Sequence, residues 1–381
     1  MHVSQVENNR DRKTFIELPY QLYRDDPRWV PPLRSEMAGQ FNRKKNPFLE
    51  HCESVLFLLW ENKKPVGRIA AFIDHLAVEA WGEAVGLFGY YECPANAAAS
   101  QLLLESAQDW LTERGMQFMR GPWSFVSQEW GSVVEGFEPA PVVMSPYNPP
   151  YYNEHYEDFG LEKVKDLLVY LIDARRGYQI PERILTLTDK VANRYKVFTV
   201  PLDMQNLEKE TEMLISLSND SLIRNWGYSP VTDAEVTAMV NDLKRIIHPK
   251  AVIFAKDEAG KPVGFAIAIP DINILLKGLD GRLFPFGWLK LLRGLPKLTN
   301  YRMFALGVIP EYHGKGIDCL LYRALYDSIF SPSMRLEINY VLEDNDPMNN
   351  ALLKLNATLL RRYRVFQREI GQSVSAQKFS I

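Results

Sequence analysis

Much is missing from this 381-residue sequence, and each gap excludes something. Cysteine is scarce: Cys52, Cys93 and Cys319 stand far apart, with no metal-type spacing and no disulfide framework. Cys319 lies among Ile317, Leu320 and Leu321, the setting of a buried thiol rather than a reactive one. No metal site is expected. No apolar run approaches the roughly 18 residues a membrane span needs, so no stable span is expected either. The opening Met1-His2-Val3-Ser4-Gln5 is polar and lacks the apolar core of a signal peptide. Charge of one sign is also lacking: the formal net charge is −3, which gives no sign of a nucleic-acid or membrane-surface protein. The expectation is a reduced, soluble, cytoplasmic protein.

What is present is apolar material, 46% of residues, enough for a real core. The length suits two domains of about 190 residues.

One succession of patterns occurs twice. Val55–Trp60 and Pro65–Phe72 are apolar runs on either side of a charged turn, a hairpin signal. Val252–Ala255 and Pro262–Ala268 repeat it. Each hairpin is followed by a strand pattern (Val85–Tyr90; Arg302–Val308) and then by apolar residues at helical spacing (Ala98–Arg114; Gly316–Phe330). Next comes a further strand (Phe118–Gly121; Arg335–Val341), a short helix (Tyr151–Phe159; Pro347–Leu355) and a last strand (Leu167–Ile172; Arg362–Gln367). The order predicts a tandem duplication: a first domain over 1–177, a linking helix in 178–197 with Pro181 at its first turn, and a second domain over 198–381. The fold class expected is α/β (α+β), each unit a mixed, mostly antiparallel sheet flanked by helices.

The sharpest local signal is Leu306-Gly307-Val308-Ile309-Pro310-Glu311-Tyr312-His313-Gly314-Lys315-Gly316-Ile317. It runs from a strand through a glycine-bearing turn into a helix, whose free N–H groups favour an anion, notably phosphate. Lys315 adds positive charge there. The spacing is not that of a Walker A loop or of a dinucleotide fingerprint. Gly-x-Gly at such a junction also suits a plain tight turn.

The motif resembles the pyrophosphate loop of the GNAT superfamily of acyl-CoA N-acyltransferases, Gln/Arg-x-x-Gly-x-Gly/Ala after a strand ending in Val-x-Pro. Gly314 and Gly316 match; Glu311 departs from the first position. The resemblance runs from Phe198 to the end. It implies acetyl-CoA or another acyl-CoA as cofactor, with pyrophosphate on His313, Gly314, Lys315, Gly316 and Ile317. It also implies pantetheine along Gly307, Val308 and Ile309, and a contact from Asn345. In the first half the same place reads Tyr91-Glu92-Cys93-Pro94-Ala95-Asn96, with no glycine and with an acid that repels phosphate. That half is expected to keep the fold without the cofactor site, a plan similar to tandem GNAT proteins.

Acyl transfer to an amine requires loss of a proton by the amine, polarisation of the carbonyl and protonation of the thiolate. The superfamily's usual acid tyrosine would fall at Leu352 and is absent. Tyr340, Tyr363 or water could replace it. Glu337 is the candidate base, although a strand carboxylate paired with a nearby arginine is the ordinary reading. Asn225, Trp226 and Tyr228, in Leu222–Pro230, border the acceptor cleft by resemblance; with Gly227 and Pro230 the same stretch also reads as a structural corner. Two loops rich in aromatic and polar residues, Arg120–Gly131 and Met144–Tyr152, suit either a site or packing. The stretch Ile272–Leu298 mixes apolar and basic residues and suits a membrane surface, shelter for a long acyl chain, or cover for its own core.

The reading that follows is an acyl-CoA-dependent N-acyltransferase, acetyl by expectation, acting on a small-molecule amine. The alternatives are a non-catalytic acyl-CoA-binding or sensing protein and, more remotely, a transferase using aminoacyl-tRNA.

Overall fold

The computed structural model describes residues 1–126, 129–222 and 225–371. Two compact units make up the chain. Unit 1 comprises Met1–Phe137, Met144–Asp166 and Tyr363 onward, and unit 2 comprises Glu138–Val143 and Leu167–Arg362.

Unit 1 opens with β1 (His2–Gln5), α1 (Asn9–Leu22) and α2 (Arg34–Gln40), which the hydrophobic pattern did not single out. The expected hairpin follows as β2 (Cys52–Glu61) and β3 (Lys64–Asp74). Its register, Glu61 opposite Lys64, leaves a two-residue turn in which Asn62 and Lys63 both adopt positive φ. Such a turn matches the twist of the flanking strands. After α3 (His75–Trp81) come β4 (Val85–Glu92) and α4 (Ala97–Glu113), whose first turn is capped by Asn96. Ala99, Leu103, Ala107 and Leu111 bury one face of α4, as 3.6-residue spacing requires. Then follow β5 (Phe118–Gly121), β6 (Ser132–Glu135), α5 (Tyr151–Asp158) and β7 (Glu162–Asp173).

The linking helix is α6 (Glu182–Tyr195), and it belongs to unit 2. There it packs on a later helix, α11 (Ile317–Ile329), through Arg323, which donates to Thr188 and Asp189. The unit continues with β8 (Phe198–Pro201), α7 (Leu207–Leu222), α8 (Asp233–Leu243), β9 (Val252–Lys256) and β10 (Pro262–Pro270). It completes with α9 (Asn273–Leu276), α10 (Gly287–Gly294), β11 (Asn300–Val308), α11 (Ile317–Ile329), β12 (Arg335–Leu342), α12 (Asp346–Lys354) and β13 (Thr358–Glu369).

The two sheets have the same plan. In unit 1, β1, β2, β3 and β4 pair antiparallel in turn, and β4 pairs parallel with β5. In unit 2, β8, β9, β10 and β11 do the same, and β11 pairs parallel with β12. The fold is therefore mixed and mostly antiparallel, as expected.

The last strand of each plan comes from the other stretch of sequence. β7 crosses from unit 1 at Asp166 to unit 2 at Leu167, and there it pairs antiparallel with β12. β13 crosses the other way at Tyr363 and pairs antiparallel with β5. The compact units are thus not the contiguous stretches divided at 177 and 198. The apolar alternation of β7 and β13 predicts strands but does not choose their neighbours.

Candidate functional site

Two parallel strands part in the middle of unit 2. The ladder between β11 and β12 covers Asn300–Met303 against Arg335–Ile338. Beyond it, among the described residues, Ala305 to Val308 pair with β10 alone. One edge of the β11 backbone is therefore left to another acceptor of strand pairing. Gly307 lies on this stretch, and α7 closes over it: a Cβ there would lie 2.3 Å from Ser221 Oγ and 2.6 Å from the Phe265 ring.

The chain then turns from β11 into α11. Ile309 donates its N–H to the Val263 carbonyl at 3.0 Å, which anchors the start of the turn to the sheet. Gly314 and Gly316 take φ of +70° and +80°, the left-handed region that favours glycine. Their surroundings differ. A Cβ at Gly314 would meet open space, whereas one at Gly316 would lie 3.1 Å from Val191 on α6. Gly316 is also the N-cap of α11, and among the described residues no side-chain hydrogen bond caps that helix. The first-turn N–H groups, from Ile317 on, lack intrahelical acceptors by helix geometry. Asp318 in the same turn partly offsets the positive end. Lys315 carries its ammonium 4.5 Å from the Tyr312 ring centre and 5.4 Å from that of Tyr195. His313 turns back to the sheet, with Nε2 2.7 Å from the Val308 carbonyl oxygen. Asn345 caps α12, accepting from the Met348 N–H at 3.2 Å. Met348 in turn accepts from the Tyr322 hydroxyl at 3.4 Å, which ties the middle of α11 to the start of α12.

Beside the point where the strands part lies a buried charged cluster. Glu337 and Arg302 are paired in register, and both are fully buried. Glu337 Oε1 accepts from Arg335 at 2.7 Å, while its Oε2 has no hydrogen-bond partner among the described residues. Burial raises the Glu337 pKa, opposed by the positive charges of Arg335, Arg361 and Arg302. Arg302 donates to the Val143 carbonyl at 3.0 Å and has the Tyr340 ring centre 5.3 Å from its guanidinium carbon. Asp271 accepts from the Val143 N–H at 2.9 Å, and burial pushes its carboxyl up to about 6, with Glu337 adding to the rise. Leu352, where the usual acid would stand, is a fully buried core residue. Sequence reasoning named Glu337 and Tyr340 but missed Arg302, Asp271 and Arg361. The available signal was Arg302 within the largely apolar β11; Arg361 is one of four arginines in β13 and does not stand out there.

Asn225, Trp226 and Tyr228 form the turn between α7 and α8. Asn225 is exposed, while Trp226 and Tyr228 are half-buried. The Tyr228 N–H donates to the Asn225 carbonyl at 3.1 Å, Gly227 has φ +73°, and burial raises the Tyr228 hydroxyl. Ile223 and Arg224 lie outside the described residues. Ser221, near the end of α7, is the residue of that helix that covers Gly307.

In unit 1 the corresponding place is filled by the chain itself. β4 and β5 pair from Val85 to Leu87 against Phe118 to Arg120 and then part. Trp123 occupies the gap, donating its N–H to the Phe88 carbonyl at 2.8 Å. A Cβ on Gly89 would lie 1.6 Å from the Trp123 carbonyl oxygen. Glu92 is half-buried and accepts from the hydroxyls of Tyr23 and Tyr152 and, at 3.4 Å, from Arg68. The first aromatic loop therefore has a packing role at Trp123; its Ser127 and Gln128 lie outside the described residues.

No family model matches the chain. Two curated proteins match it over nearly their whole length. Protein YghO of Escherichia coli is 33% identical over 374 residues, covering 95% of this chain and 94% of that one. The bacterial ceramide synthase of Caulobacter vibrioides is 32% identical over 379 residues, covering 97% and 98%. Among solved structures, a tandem GNAT protein from the clavulanic acid biosynthesis pathway superposes with a TM-score of 0.58 at 13% identity, covering 98% of this chain and 99% of that one. The chain has the tandem GNAT fold and belongs to the family that contains protein YghO and the bacterial ceramide synthase of Caulobacter vibrioides.

Proposed function

We propose that the chain is an acyl-CoA-dependent N-acyltransferase with one working site, in unit 2, whose acceptor is a long-chain amino alcohol. The observation that carries this reading is the end-to-end similarity to a protein named for making ceramide, an N-acylated long-chain amino alcohol. That name favours a long acyl donor over the acetyl group expected from the loop alone.

The geometry supports the placement. The start of α11, with Lys315, suits a pyrophosphate, and the edge of β11 from Ala305 to Val308 suits the amides of pantetheine. The amine nitrogen attacks the thioester carbonyl carbon, the C–S bond breaks, and the sulfur leaves as CoA thiolate. The amine proton needs a base and the thiolate a proton. Glu337 is the proposed base, because burial raises its pKa and Oε2 is uncommitted. Tyr340, across Arg302 from it, is the proposed proton donor to sulfur. Asn225, Trp226 and Tyr228 are the proposed acceptor contacts. Unit 1 is the supporting unit, its own loop holding the place a cofactor would take.

The test is to incubate the purified protein with palmitoyl-CoA and sphinganine, following thiol release and identifying the amide by mass spectrometry. The expected result is a stoichiometric ceramide. Turnover only with acetyl-CoA and short amines would reject the long-chain acceptor. Tight binding of acyl-CoA without turnover on any amine would favour a sensing protein.

A further inference from the structure

The stretch between β10 and β11 gathers much of the exposed apolar surface among the described residues. Phe284 is 80% exposed, Phe286 74%, Leu292 64% and Trp288 44%. Trp288 and Leu292 are one helical turn apart on α10, so they share a face, and the two phenylalanines stand in the turn that leads into it. The segment is held in a definite shape. The Trp288 indole donates to the Pro285 carbonyl at 3.0 Å, Lys290 donates to the Lys277 carbonyl at 2.9 Å, and Gly287 and Gly294 are close-packed. A well-packed scaffold therefore presents aromatic side chains to water, which is unfavourable unless something covers them.

Charge indicates what does. Between Ile272 and Leu298 the basic residues are Lys277, Arg282, Lys290, Arg293 and Lys297, and the only acid is Asp280. The whole chain is net negative, so this excess is local. A second copy seated symmetrically on the same face would bring like charges together. Tryptophan and phenylalanine ringed by lysine and arginine match the boundary between acyl chains and anionic headgroups.

We infer that this face seats on an anionic phospholipid bilayer, with Phe284, Phe286, Trp288 and Leu292 entering the headgroup–acyl boundary and the basic side chains meeting lipid phosphates. No described helix is long and apolar enough to cross a membrane, so the attachment is peripheral. It does not depend on the proposed reaction and is measured without acyl-CoA.

The experiment is flotation of the full chain with vesicles of phosphatidylcholine alone or with phosphatidylglycerol added. The protein rises with the anionic vesicles, and salt weakens the association. Phe284→Ser with Phe286→Ser abolishes it, and Arg293→Glu with Lys297→Glu weakens it by at least about fivefold per charge removed. Both phenylalanines are exposed, so the melting curve should be unchanged. If the double variant fails to fold, Phe284→Ser alone carries the test. Absence of flotation with either vesicle, or flotation unchanged in both variants, overturns the inference. A dimer in sedimentation that the phenylalanine variants convert to monomer would also overturn it, assigning the face to a second copy.

Discussion

The imidazole of His313 reaches back five residues to the carbonyl of Val308, 2.7 Å from Nε2 to oxygen. This contact ties the glycine turn to the end of β11, so the proposed pantetheine edge and the proposed pyrophosphate cradle are held as one rigid corner. His313→Ala should lower stability by about 1 kcal/mol. It should also raise the apparent Kd for acyl-CoA with little change in kcat at saturation. Calorimetric titration and a thermal melt separate the two effects.

The two glycines of the turn should respond differently. Gly314 faces open space, so Gly314→Glu keeps the fold at a cost of about 1–2 kcal/mol for its positive φ, while placing a negative charge in the cradle. Acyl-CoA binding should be lost. Gly316→Val presses on Val191 as well as straining the backbone, so it should lower the melting temperature further. Unchanged affinity in Gly314→Glu would remove the cofactor from this turn.

Gly307 tests the strand edge. Its Cβ position is taken by Ser221 and Phe265, so Gly307→Val should cost about 1–3 kcal/mol through overpacking. Gly307→Val paired with Ser221→Gly should recover part of that loss. Recovery of stability without recovery of acyl-CoA binding would place the strand edge, rather than α7, in the site.

Glu337→Gln keeps the shape of the side chain and an acceptor for Arg335. A base must be deprotonated, so the wild-type rate should rise with pH through a pKa above the usual value of 4.5. The variant should lose that limb together with about 10²–10⁴-fold in kcat. A fall in melting temperature with the pH limb intact would instead assign Glu337 a structural role.

Asp271 makes a prediction about stability. Burial raises its pKa from 3.8 to about 6, so between those values the folded state holds a proton that the unfolded chain has released. Stability attributable to this group therefore falls as pH rises through that window and is level above it, by at most about 3 kcal/mol. Asp271→Asn still accepts from Val143 but does not titrate. The difference between the urea-denaturation curves of the two proteins, measured from acid to neutral pH, should follow that slope. A flat difference would mean that Asp271 titrates normally.

Local patterns made most of the elements legible. The hairpin at 55–72, the helix behind Asn96, and the strand, glycine turn and helix from Arg302 to Phe330 lie where apolar spacing places them, because burial of a strand face or helix stripe writes its period into adjacent residues. The duplication was readable for the same reason, and so was the contrast between a glycine turn in one stretch and Glu92-Cys93-Pro94 in the other. The early helices α1 and α2 were not singled out, and Pro19 inside α1 breaks the pattern that would have marked it.

Pairing between distant strands leaves no such trace. Nothing in the alternation of β7 or β13 says that the first completes the sheet of unit 2 and the second that of unit 1, since any apolar strand can fill an edge. The charged cluster arises from contacts among separated segments: Arg302, Glu337, Asp271 and Val143 meet only after folding. The sequence by itself determined the repeated elements, the glycine turn and the absence of the usual tyrosine at Leu352. Tertiary structure alone decided which strands close each sheet, which buried arginines surround Glu337, and which apolar side chains between β10 and β11 remain outside. The physical reason is that periodicity records whether a residue faces a core, while long-range packing determines what it meets there.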